Sequence, residues 1–88
     1  MYNITDYSYR QAKAIGVEIK ISTNKKKKID VFKDGKKIAS IGAIGYSDYP
    51  TFIKEKGRAY ADERRRLYHI RHAKDKSLNG YYAKKLLW

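Results

Sequence analysis

The dipeptide Asp34-Gly35 constrains this chain more than any other two residues in it. It sits between Ile29-Asp30-Val31-Phe32-Lys33 and Lys36-Lys37-Ile38-Ala39-Ser40-Ile41, two runs that mix apolar and polar residues at strand spacing. Asp-Gly readily adopts the two positive φ angles of a tight hairpin turn, whose twist matches that of paired antiparallel strands. A hairpin is therefore predicted, with Lys33 facing Lys36, Phe32 facing Lys37 and Val31 facing Ile38. Upstream, Val17-Glu18-Ile19-Lys20-Ile21-Ser22 alternates apolar and polar without a fault, the pattern of a half-buried strand. Thr23-Asn24 and the lysine run 25–28 are expected to form the turn between the first two strands.

Helical signals surround this sheet. Asp6 or Ser8 can cap a short N-terminal helix that stops at Gly16. Asp48 is placed to cap a second helix, with Pro50 in the first turn where its missing N–H costs nothing. The expected fold is a single α+β domain over residues 1–88. A three-stranded antiparallel sheet (about 17–22, 28–33 and 36–42) is followed by helices at about 50–56, 58–74 and 80–87. At about 100° per residue, Ala59, Tyr60, Leu67 and Ile70 of the long helix form one apolar stripe, which predicts an inward face. Asp62, Arg65, His69 and His72 are then predicted to face outward, and Arg64 to lie against Tyr60 and Leu67.

Composition narrows the function. Twenty-one Lys and Arg stand against 9 acids, a net charge of +12. On a domain this small, that charge repels itself unless an anionic partner is met. With no cysteine, neither a disulfide framework nor a thiolate metal site is available. No apolar run reaches the roughly 18 residues of a membrane span, and the first residues lack a signal-peptide pattern, so no membrane partner is expected. No Gly-flanked nucleophile, phosphate-binding loop or carboxylate cluster marks an enzyme, and no cofactor is implied. His69 and His72 are three residues apart on a helix but lack a third ligand at a metal-binding spacing.

The Asp34-Gly35 hairpin, the loop Gly45-Tyr46-Ser47-Asp48-Tyr49, the helix signature Arg65-Arg66-Leu67-Tyr68-His69-Ile70-Arg71-His72 and the ending Leu86-Leu87-Trp88 occur here together. In this combination the chain resembles small basic proteins encoded by large DNA viruses and some bacteriophages, over about residues 29–88. The resemblance implies a viral origin and brings no established activity with it.

Candidate contact residues follow from chemistry. Lys25, Lys26, Lys27 and Lys28 can lie along a phosphate backbone as point charges without sequence preference. Arg65 and Arg66 are expected to face a ligand, with His69 beside them as a contact and His72 as a hydrogen-bond donor to the backbone or a phosphate. A solvated helix face with an Asp62–Arg66 pair is the plainer alternative. Tyr46, Tyr49, Tyr81, Tyr82 and Trp88 offer rings for base stacking or for a protein interface. Three functions are compatible with this set. The first is a non-enzymatic viral structural protein, a minor capsid or virion-internal component that contacts genome or acidic capsid surfaces. It would reside in the virion, and in the host cell interior during production, with multimeric assembly possible. The second is a non-virion, sequence-non-specific nucleic-acid-binding (DNA-binding) protein of replication, transcription or packaging. The third is a protein-interaction module without nucleic-acid contact.

Overall fold

A computed structural model describes residues 2–88. Its elements, in chain order, are α1 (Asp6–Ile15), β1 (Glu18–Ile21), β2 (Lys27–Lys33), β3 (Lys36–Ala43), α2 (Tyr49–Lys56), α3 (Arg58–Arg71) and α4 (Leu78–Leu86). The three strands form an antiparallel sheet in the order β1-β2-β3, so the α+β class is as expected. Asp34 (φ 54°) and Gly35 (φ 78°) both take the left-handed conformation the hairpin turn requires. Lys33 faces Lys36 and Phe32 faces Lys37 as predicted, but Val31 lies opposite Ala39. A bulge at this point inserts Ile38 as an extra residue on β3, which corrects the predicted Val31–Ile38 pair.

Register places Ile19, Val31 and Ala39 on one face of the sheet, together with Ile29 and Ile41. These side chains join Ala12, Tyr49, Ala61, Tyr82, Leu86, Leu87 and Trp88 in one hydrophobic core. The other face carries Asp30 at its centre, and Asp30 is buried as well. Burial alone would raise its pKa. The hydroxyls of Ser22 and Ser40 (each 2.6 Å), the Thr23 N–H (3.1 Å) and Lys37 (3.5 Å) outweigh that effect and hold it at about 2.

Capping sets the helix ends. Thr5, rather than Asp6 or Ser8, caps α1, its hydroxyl accepting from the Ser8 N–H at 3.3 Å. The buried Ser8 hydroxyl instead donates to the Leu86 carbonyl at 2.6 Å. Asp48 caps α2, with Pro50 in the first turn, and accepts from the Thr51 N–H at 3.1 Å. Helix α3 ends at Arg71, earlier than periodicity suggests, and α4, capped by Ser77, begins at Leu78, two residues before the predicted start.

The end of the chain belongs to its own core. The Tyr49 N–H donates to the Leu87 carbonyl at 2.9 Å, and Trp88 stacks on Tyr68 with ring centroids 4.4 Å apart and planes 8° from parallel. Gly42, with φ of 78°, lets this segment approach: a Cβ there would fall 2.7 Å from Leu87 Cδ1. Trp88 is thus interior, which corrects its assignment as a contact residue.

The phase of α3 is the largest departure from expectation. Ala61 is fully buried, and Arg65, Tyr68 and His72 share its packed face at spacings of four, three and four residues. Tyr60, Leu67 and Ile70, predicted inward, are exposed. Tyr68 stacked on Trp88 anchors the helix, and that one large contact outweighs the three apolar residues opposite.

Candidate nucleic-acid interface

Helix α3 joins α4 through a tight corner built around Asp75. Its carboxylate accepts from the Ser77 hydroxyl (2.7 Å) and N–H (2.9 Å), and these bonds hold its carboxyl below the usual range. Gly80 lets the carboxylate lie on the first turn of α4, since a Cβ there would collide with the Asp75 carboxylate. The corner turns α4 back beside α3 and α1, opening a cleft of about 560 Å³.

Arg65 and His69 reach this cleft from α3, Gln11 from α1, Lys76 from the corner, and Tyr81, Lys84 and Lys85 from α4. Arg65 lies over the Tyr49 ring, 4.7 Å from its centroid, so its guanidinium is held in place. The Tyr49 hydroxyl in turn donates to Asp62 at 2.7 Å. Lys84 donates to the Asp75 carbonyl at 3.1 Å, and Lys85 sits 5.8 Å above the Tyr81 ring. Among the described residues, none of Arg65, Lys76, Lys84 and Lys85 forms an ion pair. Four cations, of which Arg65, Lys84 and Lys85 are held by the contacts above, therefore line one cleft beside an exposed tyrosine, and among the described residues the one carboxylate lining it is engaged by Ser77. Such a site can hold phosphate groups by charge and stack a base or sugar on Tyr81.

The predicted contact residues divide among several places. Arg65, His69 and Tyr81 come together in the cleft. Arg66 points elsewhere on α3 and pairs with Glu63 at 2.5 Å, not with Asp62. His72 stacks on Tyr68, ring centroids 4.3 Å apart, and faces a separate cavity that Arg64 and Arg71 also line. Lys25 and Lys26 are exposed in the β1–β2 turn, which Asn24 closes by accepting from the Lys26 N–H at 2.9 Å. Lys27 is half-buried at the start of β2 and shares a cavity with Lys25 and the exposed Tyr46.

Lys28, Tyr49 and Tyr82 are corrected along with Trp88, because all four are buried. Lys28 pairs with Asp48 at 3.1 Å and also donates to the Tyr46 carbonyl. Tyr2 covers the pair, its hydroxyl 2.7 Å from Asp48. Burial, and then the carboxylate it donates to, push the Tyr2 phenol upward, so it stays a donor. Strand alternation puts Lys28 on the same sheet face as Asp30, where both are buried, which the unbroken lysine run conceals.

Gln11, Lys76, Lys84 and Lys85 were not among the predicted contacts. The spacing of Tyr81 to Lys84 and Lys85, three and four residues on one helix, is the signal that would have found two of them. Among the described residues, no group of three or more His, Cys, Asp or Glu is placed to hold a metal ion. Among the described residues, no helix is long and apolar enough to cross a membrane. Compared with protein-family models, curated proteins and solved structures, the chain matches none of them.

Proposed function

We propose that the protein is a non-enzymatic structural component of a virus particle that contacts the genome through sequence-independent phosphate contacts. The observation that carries the nucleic-acid contact is the cleft in which Arg65, Lys76, Lys84 and Lys85 converge without ion-pair partners beside Tyr81. Side chains paired with carboxylates inside the protein would gain little from phosphate, whereas these four keep their charge for a partner. Lys25 and Lys26 add a second, smaller cationic point on the β1–β2 turn. The viral setting rests on the resemblance over residues 29–88, and capsid protein is the other partner that setting suggests.

Two measurements test the two halves of this reading. Anisotropy titration with two short DNA duplexes of unrelated sequence should give equal affinities that fall steeply between about 50 and 200 mM salt. Equal affinity at both salts, or strong preference for one duplex, would remove the phosphate reading. Mass spectrometry of purified particles should recover the protein in many copies. Its absence from particles would leave a nucleic-acid-binding protein that acts outside the virion.

A further inference from the structure

A separate cavity of about 650 Å³ shares only Asp75 and Ser77 with the phosphate cleft. Its size falls within the roughly 300–1,000 Å³ of small-molecule sites. Ile41, Phe52, Tyr68, Leu87 and Trp88 give it apolar walls, and the hydrophobic core holds those walls in place. Tyr68 is stacked on Trp88, and Phe52 lies 6.0 Å from the Trp88 ring, so the aromatic wall is formed before any ligand arrives. Tyr46 lines the cavity as well, and its ring is 76% exposed and open to a partner. Lys27, Arg64 and Arg71 line it without an ion pair among the described residues. Arg64 is held 5.6 Å over the Phe52 ring, a contact that leaves its N–H groups unused. The one carboxylate lining the cavity, Asp75, is engaged by Ser77. Burial, and then Asp75, raise the Tyr68 phenol against the opposing effect of Arg71, so its hydroxyl stays a donor.

We propose that this cavity binds a single nucleotide, with its base against Tyr46 and its phosphate on Arg64 and Arg71. The combination of groups selects the ligand. Apolar walls alone would accept any small hydrophobe, and arginines alone any anion. A nucleotide carries a flat ring and a phosphate in one small molecule, and the cavity offers a partner for each. Arginine suits the phosphate because its planar fork can donate two hydrogen bonds to one group. A duplex cannot enter a cavity of this volume, so the ligand is either a free nucleotide or the terminal nucleotide of a strand. Arg64, Arg71 and Tyr46 take no part in the α3–α4 cleft, so this proposal and the one for that cleft can each fail alone.

Trp88 is the only tryptophan of the chain and lines the cavity, so its fluorescence reports on this site. Titration of the intact chain with adenosine monophosphate should change that fluorescence saturably. Its affinity should exceed those of adenosine and of inorganic phosphate about tenfold. Arg71 is exposed, so Arg71→Gln should leave the melting temperature and the salt dependence of duplex binding unchanged. The same variant should weaken adenosine monophosphate about tenfold and leave adenosine as it was. Tyr46→Ala should weaken both. A single strand that binds more tightly with a terminal phosphate than without it, a difference lost in Arg71→Gln, would identify strand ends as the ligand. Binding of adenosine monophosphate with no such difference between strands would identify the free nucleotide. Equal affinity for adenosine monophosphate and inorganic phosphate would reduce the cavity to an anion site and overturn the proposal. So would the absence of a saturable response, or a response that survives Arg71→Gln. A response lost in Lys76→Gln/Lys85→Gln would overturn it too, by placing the nucleotide in the α3–α4 cleft.

Discussion

Lys28 near the start of β2 and the lysines of the α3–α4 corner and α4 occupy opposite environments. Lys28 is buried, 3.1 Å from Asp48, with Tyr2 across the pair and the Tyr46 carbonyl as a further acceptor. Lys76 and Lys85 project into an open cleft and, among the described residues, meet no carboxylate as an ion pair. The first region spends its charge on fixing the Tyr46–Tyr49 loop to the sheet. The second leaves its charge unpaired. The net charge of +12 already cancels such internal pairs, so what separates the two regions is where the unpaired cations lie, not their number.

The comparison breaks most visibly if the interior is not as tightly organised as this division needs. Removing Leu86-Leu87-Trp88 deletes side chains that are all buried in the chain's own core. At roughly 1.5–3 kcal/mol each, their loss approaches the whole stability of a typical domain, about 5–15 kcal/mol. The truncated chain should lack a cooperative thermal transition by circular dichroism. A truncation that melts like the parent would show that the core does not close on these residues.

Next in size is the buried pair. Lys28→Gln leaves Asp48 buried without its cation, which should cost about 3–5 kcal/mol in denaturant unfolding. The slope of DNA affinity against salt should stay as it is in any fraction that remains folded. A stable Lys28→Gln protein with a flattened slope would place Lys28 with the surface lysines and erase the distinction.

Asp30 sharpens the same point through pH. Its folded pKa of about 2 lies below the ordinary 3.8, so its carboxylate stabilises the fold above the unfolded value. That stabilisation, roughly 2 kcal/mol, should disappear as pH falls from about 4 to about 2. Asp30→Asn should lose stability at neutral pH and show a weaker acid dependence over that window. An unchanged acid profile in Asp30→Asn would mean that the Ser22, Ser40 and Lys37 contacts do not stabilise the charged form.

Arg65 stands between the two regions. Its guanidinium is half-buried on the Tyr49 ring yet lines the cleft. Arg65→Ala should lower stability by about 1 kcal/mol and weaken duplex binding as well. Binding that weakens with no change in melting temperature would return Arg65 to a purely outward position, as helix periodicity alone suggests.

Local chemistry made much of the fold legible. Asp34-Gly35 marks a turn because few other dipeptides accept two positive φ angles, and Asp48 before Pro50 marks a helix start for equally local reasons. The bulge at Ile38 was hidden because nothing in its own residue type distinguishes it from its neighbours on β3. The phase of α3 was hidden for a stronger reason. Tyr60, Leu67 and Ile70 make the apolar stripe, but burial is decided by what α3 meets, and it meets Trp88 through Tyr68. Of the candidate site, Arg65, His69 and Tyr81 were readable from residue type. Their convergence with Lys76, Lys84 and Lys85 depends on how the Asp75–Gly80 corner folds α4 back, a tertiary fact that spacing does not carry.

The most direct test of the cleft is the salt dependence of duplex binding in the double variant Lys76→Gln/Lys85→Gln. Both lysines are exposed, so the melting temperature should match the parent. The slope of log K against log salt should fall by close to two units, about 0.9 for each lost phosphate contact. A parent-like slope in a folded double variant would contradict the claim that the α3–α4 cleft is where this protein meets nucleic acid.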